Sequence, residues 1–326
     1  MIVSALFCLY GIPSALLPHM PSMPPYDPLK VDVRTVEYLD FTVRDVTRHR
    51  DVPIRVYLRL NQRSAPVLLF SPGLGGTRHN YVYLGRHWAA RGYCVVMLQH
   101  PGSDDTVWRG KSPLKAMADL RSAASAANFL ARIQDVRVVL DQLTQWNRTK
   151  GHALFHRMDL AHVGMAGHSF GAVTTQAVSG QAFGILGQIY TDPRIQAAIA
   201  MSPSSPRLGS PDAAFGKVRI PWLIMTGTND TSFNVADAAS RQKVYAGLPA
   251  GDKYQLVLFN AEHSAFSDRP LPGDRLARNP NHHKAILALS TAFWDAYLRD
   301  DPGAKAWLKG SGPRTILDAK DRWDAK

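Results

Sequence analysis

Short runs of mostly apolar residues, Val67–Phe70, Cys94–Leu98, His162–Ala166, Trp222–Met225 and Leu256–Phe259, constrain this chain more than any other feature. A strand with one wet face alternates polar and apolar residues, so an unbroken apolar run points to a strand covered on both sides. Ala197–Met201 is a weaker run of the same kind. Between the runs lie helical patterns, clearest in Ile133, Val136, Val139, Leu140, Leu143 and Trp146, whose spacing puts them on one helix face. Strand and helix alternate from about residue 65 to 300, which predicts an α/β fold: a mostly parallel sheet with helices on both faces. Ahead of it, residues 35–43 and 52–60 alternate and predict an antiparallel two-stranded entry.

The 326 residues are enough for one large domain, and the unbroken rhythm assigns residues 31–326 to it. Residues 1–30 read as an N-terminal arm or signal-like segment, Pro-rich from Pro18 to Pro28. Ile2–Leu17 is apolar enough for a signal-peptide core, but no Lys or Arg precedes Lys30, and Gly11 and Pro13 interrupt the run. A leader without its basic region and a packed or flexible arm both fit, so cytoplasmic and secreted or periplasmic locations stay open, as does the oligomeric state. The run is too short and broken for a stable membrane span.

Two cysteines, Cys8 and Cys94, exclude a disulfide framework and a Cys-rich zinc site. The net charge of +12 raises the question of nucleic acid or anionic surfaces. Half of it is six arginines (Arg55, Arg59, Arg63, Arg78, Arg86, Arg91) in an acid-free stretch from 52 to 103, and the rest is scattered among acids. No dense basic run with interleaved aromatics appears, so no nucleic-acid partner is expected. A bias toward anionic substrates is the most the charge supports.

The chemistry is carried by Gly167-His168-Ser169-Phe170-Gly171, which follows an apolar strand and opens a helix-compatible run. Glycines two before and two after the serine leave room for the sharp turn that holds a nucleophile in a strained conformation. A serine hydroxyl needs a base, and the base needs an acid to fix its tautomer. Asp230 follows the strand at Trp222–Met225, and His263 follows the strand at Leu256–Phe259, in the order serine, acid, histidine. The expected oxyanion donors are the N–H groups of Phe170 and of Leu74, in the glycine-rich loop Ser71-Pro72-Gly73-Leu74-Gly75-Gly76. That loop lacks a following Gly-Lys-Ser/Thr and does not make G-x-G-x-x-G, so it is not read as a nucleotide site.

These residues resemble the α/β-hydrolase superfamily, and within it the dienelactone-hydrolase-like group that includes platelet-activating-factor acetylhydrolases and, more distantly, cutinase-like polyester hydrolases. The resemblance spans roughly Arg34 to Leu308. It includes Gln99-His100-Pro101-Gly102-Ser103-Asp104-Asp105, the helix at Asp135–Leu140, and Glu262-His263-Ser264-Ala265-Phe266. It implies a serine esterase acting through an acyl-enzyme on a small-molecule or lipid ester, with no metal or organic cofactor. Two departures stand out. Ser169 occupies the position where dienelactone hydrolases carry cysteine, and Ala200-Met201-Ser202-Pro203, where the plasma acetylhydrolases place their acid, has no carboxylate. Asp230 therefore takes that role.

The alternatives are a phospholipid or platelet-activating-factor-type acetylhydrolase, an acyltransferase, and a non-catalytic binding protein on the same scaffold. Pocket walls are expected from the irregular segments 103–128, 180–195 with 202–217, and 267–283, with His79, Trp108, Met201 and Phe233 as candidate lining residues. His168 is read as structural and Glu262 as loop surface. His100 is either substrate-orienting or structural. His282 and His283 lack a carboxylate at metal-ligand spacing, so no metal site is assigned.

Overall fold

Strands β1 (Val36–Asp45) and β2 (Arg50–Arg59) form the antiparallel entry, with Val36 opposite Arg59 and Asp45 opposite Arg50. The computed structural model describes residues 26–206, 208–232, 237–271 and 274–326. Within them, β3 (Ala65–Ser71), β4 (Cys94–Leu98), β5 (Met158–His168), β6 (Ile195–Met201), β7 (Trp222–Asn229) and β8 (Lys253–Glu262) run parallel to one another. A short strand β9 (Arg322–Ala325) pairs antiparallel with β8. The sheet order is β1-β2-β4-β3-β5-β6-β7-β8-β9. Strand order reverses at β3, which has β4 on one side and β5 on the other; ligands in open α/β sheets bind at such a switch, beyond the carboxyl ends of the strands.

The apolar runs become strands because both faces are covered. Leu68 and Phe70 point to one layer, packed by α1 (Val82–Arg91), α7 (Pro280–Leu298) and α8 (Pro302–Lys309). Val67 and Leu69 point to the other, packed by α3 (Ala126–Arg148) and α4 (Phe170–Val178). Further along that second face, α5 (Pro211–Phe215) and α6 (Ala238–Ala246) cover Trp222 and Ile224. Ile133, Val136, Val139, Leu140 and Leu143 are buried as their spacing predicts, while Trp146 is half-buried and stacks on His152. Cys94 lies in the core, and burial pushes its thiol up to about 12, so it is inert as a nucleophile at neutral pH.

The structure corrects the reading of two irregular segments. Residues 103–128 contain the helix α2 (Pro113–Ala123), and 202–217 contain α5, each begun by a serine followed by proline at the first helical position. The strand β9 was not anticipated; Trp323 holds it by stacking on Tyr254. Residues 1–25 of the expected arm, with Cys8, lie outside the described residues. Tyr26 packs on the body, its hydroxyl donating to Asp295 at 2.7 Å beneath the Arg91 guanidinium. Among the described residues no helix is long and apolar enough to cross a membrane.

Candidate active site

The turn from β5 into α4 is forced by its glycines. A Cβ on Gly171 would sit 1.8 Å from the Ser71 carbonyl oxygen, and one on Gly167 would sit 2.3 Å from the Gly171 carbonyl oxygen. With both absent, the helix starts against the end of β3, and Ser169 takes φ 56°, ψ −117°. Its N–H donates to the Met201 carbonyl at 2.9 Å. A non-glycine residue in that region is strained and persists only where its surroundings hold it.

The structure brings Ser169, His263 and Asp230 together. His263 opens a short turn after β8, with Nε2 2.8 Å from Ser169 Oγ and Nδ1 2.7 Å from Asp230 Oδ1. Asp230 follows β7, is fully buried, and accepts from Thr226 Oγ1 at 2.8 Å. Burial alone would raise its carboxyl, but the hydrogen bond from His263 and the Arg241 charge outweigh it and hold the group well below the usual carboxylate range. An ionised Asp230 accepts the Nδ1 proton of His263, which leaves Nε2 to accept from the Ser169 hydroxyl. The string can therefore draw a proton off the serine.

Arg241 was not singled out by the sequence. It is buried on α6, donates to the Asp230 backbone oxygen at 2.8 Å, and lies 3.0 Å from the carboxylate. It also donates to the carbonyls of Ser202 and Pro203, tying the end of β6 to the acid loop. Nothing in its helical spacing distinguishes it from a surface arginine, because its burial depends on how α6 folds back over β7.

His168 is buried beside His263, the ring centroids 4.7 Å apart. Its Nε2 donates to the His263 carbonyl at 3.0 Å and its Nδ1 accepts from Tyr81 at 2.9 Å. Glu262 turns to the other side, as its adjacency to His263 predicts, and accepts the N–H groups of Arg275 and Leu276. Phe170 follows Ser169, and the loop holding Leu74 reaches the serine at Gly73, where a Cβ would sit 3.5 Å from the Ser169 Cβ; no acceptor among the described residues engages the N–H of Leu74 or of Phe170.

The pocket candidates separate. Trp108 lies over the loop after β3, its Nε1 donating to the Gly75 carbonyl at 2.8 Å. Met201 reaches the site through its carbonyl, while its side chain is in the core. His79 is exposed near Asp40 and Arg55, and Phe233 lies outside the described residues. His282 contacts the Phe259 carbonyl, and His283 stacks on Tyr83, so the adjacent histidines face different partners. Of the six arginines in the acid-free stretch, Arg55 and Arg91 are paired with carboxylates and Arg78 approaches one, which reduces the free positive charge there.

His100 belongs to a second string. Its Nε2 is 2.9 Å from Ser71 Oγ and its Nδ1 is 2.9 Å from Asp135, which also receives Arg48 and Arg50. Ser71, His100 and Asp135 are all fully buried, so this string has the residue types of a nucleophile relay without access for an ester. Ser71→Ala should keep hydrolysis within about threefold and lose roughly 1–2 kcal/mol of stability; a collapse of activity in the folded variant would contradict this division of roles.

The buried rings set the pH dependence of stability. Burial, with the Arg132 charge, lowers His100 to about 4, and burial holds His168 well below its usual value. In the unfolded chain both take up protons below about pH 6.5. The unfolded state therefore binds more protons as pH falls, and the stability present above pH 6.5 drains by about 1.4 kcal/mol per pH unit for each ring that titrates this way. Asp230 acts in the same direction below about pH 4, where the unfolded carboxyl protonates first. The thermal midpoint should fall steadily from pH 7 to pH 4; equal midpoints at pH 7 and pH 5 would contradict the buried neutral rings.

The sheet order, the strained turn after β5 and the loops after β7 and β8 define an α/β-hydrolase fold. No family model matches the chain. It is 28% identical over 220 residues to a protein of Arthroderma benhamiae (strain ATCC MYA-4681 / CBS 112371) named "Probable 1-alkyl-2-acetylglycerophosphocholine esterase". The match covers 63% of this chain and 49% of that protein, so the chain spans about half the length of the curated relative it matches. The similarity is consistent with an esterase of the α/β-hydrolase type.

Proposed function

We propose that the protein is a serine esterase that cleaves carboxylic esters through an acyl-enzyme. Ser169 Oγ bonds to the ester carbonyl carbon as its proton passes to His263 Nε2, and the carbonyl π pair moves onto oxygen. The Leu74 and Phe170 N–H groups receive that oxyanion. As the tetrahedral species collapses, the carbon–alcohol bond breaks and His263 returns the proton to the leaving oxygen. Water, deprotonated by His263, then attacks the acyl carbon, and as the acyl–Oγ bond breaks His263 returns the proton to Ser169 Oγ and the acid leaves. Asp230 orients His263 and stabilises its cationic form. The observation that carries this reading is the contact of His263 with both Ser169 (2.8 Å) and Asp230 (2.7 Å) at the strained turn.

The relative's name favours an acetyl ester of a glycerophospholipid as the particular substrate. Placement of the acid after β7 rather than after β6 sets this chain apart from the plasma acetylhydrolases it resembles. A panel of p-nitrophenyl esters of increasing chain length, with Ser169→Ala as control, tests both levels. Hydrolysis that falls steeply beyond acetate supports the acetyl-ester reading; preference for long chains rejects it and keeps the esterase. Failure of the folded protein to cleave any ester rejects both. Acyl transfer to an added alcohol at the expense of water would make the protein an acyltransferase with the same nucleophile.

A further inference from the structure

Arg132 is a fully buried arginine on α3 with no carboxylate within 4.0 Å among the described residues. Its neighbour one turn on, Asp135, is occupied by Arg48, Arg50 and His100. Isolating a cation this way is costly unless its donors are satisfied. They are satisfied by the loops after β3 and β4: Nη1 donates to the Pro72 carbonyl at 2.7 Å, and Nη2 to the carbonyls of Gly73 at 3.4 Å and Ser103 at 3.2 Å. Nε donates to Ser103 Oγ at 2.9 Å. The guanidinium carbon also lies 4.4 Å from the centre of the Phe170 ring. Burial lowers its pKa only to about 9, so it is a cation at neutral pH.

Peptide geometry makes these contacts directional. In a trans peptide the C=O and the N–H point opposite ways. Holding the Gly73 carbonyl therefore turns the Leu74 N–H away from Arg132. The preceding peptide is gripped at both ends, its Pro72 carbonyl by Arg132 and its Gly73 N–H by the Tyr81 hydroxyl at 3.4 Å. One cation thus touches both residues whose N–H groups are left free, Leu74 through its peptide and Phe170 through its ring.

We infer that Arg132 is a positioning residue that fixes the Leu74 and Phe170 amides as a preformed oxyanion hole and places an unneutralised positive charge behind it. The inference rests on the serine-esterase reading and adds a specific device to it. Such a charge acts most strongly in a water-excluded site, where it favours the oxygen that becomes negative over the neutral ester carbonyl. Its removal should therefore lower kcat far more than it raises KM.

The test uses the full chain. Fluorophosphonate labelling of Ser169 in the wild type is measured first; without it the esterase reading fails, and this inference with it. With labelling present, Arg132→Met is expected to lower kcat for p-nitrophenyl acetate about 100-fold with KM within about threefold, the scale of losing one oxyanion donor. Affinity for a trifluoromethyl ketone, which adds to Ser169 and places an oxyanion in the hole, should fall by the same factor as kcat/KM. Guanidinium ion added to Arg132→Gly should restore part of the rate. Arg132→Lys keeps the buried charge but not the planar fork, and provides a folded comparison if the methionine variant fails to fold; it should retain KM and lose about tenfold in kcat. A folded Arg132→Met or Arg132→Lys with wild-type kcat, or a fall in kcat with undiminished ketone affinity, overturns the inference while leaving the esterase reading in place.

Discussion

Replacing Ser169 by alanine is expected to lower ester hydrolysis by at least about 10⁴-fold, the largest change any single substitution should make in this protein. Among the described residues the hydroxyl is the only group hydrogen-bonded to His263 Nε2, at 2.8 Å, so its loss removes the proposed nucleophile while His263 stays held by Asp230. The fold should survive. Alanine keeps the Cβ, and the strained backbone at φ 56° is held by the Ser169 N–H bond to Met201 and by the close packing of Gly167 and Gly171, none of which involves the hydroxyl. Circular dichroism and thermal unfolding should therefore match the wild type within a few degrees. A folded Ser169→Ala protein that still hydrolyses esters at a hundredth of the wild-type rate would place the nucleophile elsewhere.

Gly171→Ala is expected to have the largest effect on stability. The added methyl would sit 1.8 Å from the Ser71 carbonyl and 2.7 Å from that of Pro72, and both obstacles are backbone. Neither can swing aside like a side-chain tip, so α4 must lift off the end of β3, with a cost of about 3 kcal/mol or more. In a chain of this size that lowers Tm by at least ~4 °C. The same shift would displace Pro72 and Gly73, so activity should fall even in the folded fraction. Gly151→Ala is the contrast: its Cβ meets nothing within 4 Å, and only a φ of 89° opposes it, for a cost of about 1 kcal/mol. A Gly171→Ala protein melting within about 2 °C of wild type would show that the helix and strand are not in this close contact.

Much of the architecture was legible because burial on both faces leaves a mark that needs no partner to be read. Runs such as Val67–Phe70 and Trp222–Met225 are apolar without alternation, and they became central strands. The juxtaposition of Ser169, Asp230 and His263 followed from position, since each lies just past the carboxyl end of a parallel strand. Other features left no such mark. α2 has an exposed Leu114 and little apolar stripe, and its serine–proline start is common in loops. Arg132 and Arg241 read as ordinary helical cations, and only the tertiary fold shows one beneath the loop after β3 and the other against Asp230. Met201 ends an apolar strand near the site, but strand alternation turns its side chain into the core and leaves its carbonyl to the Ser169 N–H.

The central claim is that Ser169 is an activated nucleophile while the equally hydrogen-bonded Ser71 is not. Covalent labelling with a fluorophosphonate, mapped by mass spectrometry of proteolytic peptides, tests it most directly. One adduct per chain is expected, on the peptide containing Ser169, its rate falling by orders of magnitude in His263→Ala and persisting in Ser71→Ala. A folded protein that takes no label, or takes it on Ser71, would contradict the claim.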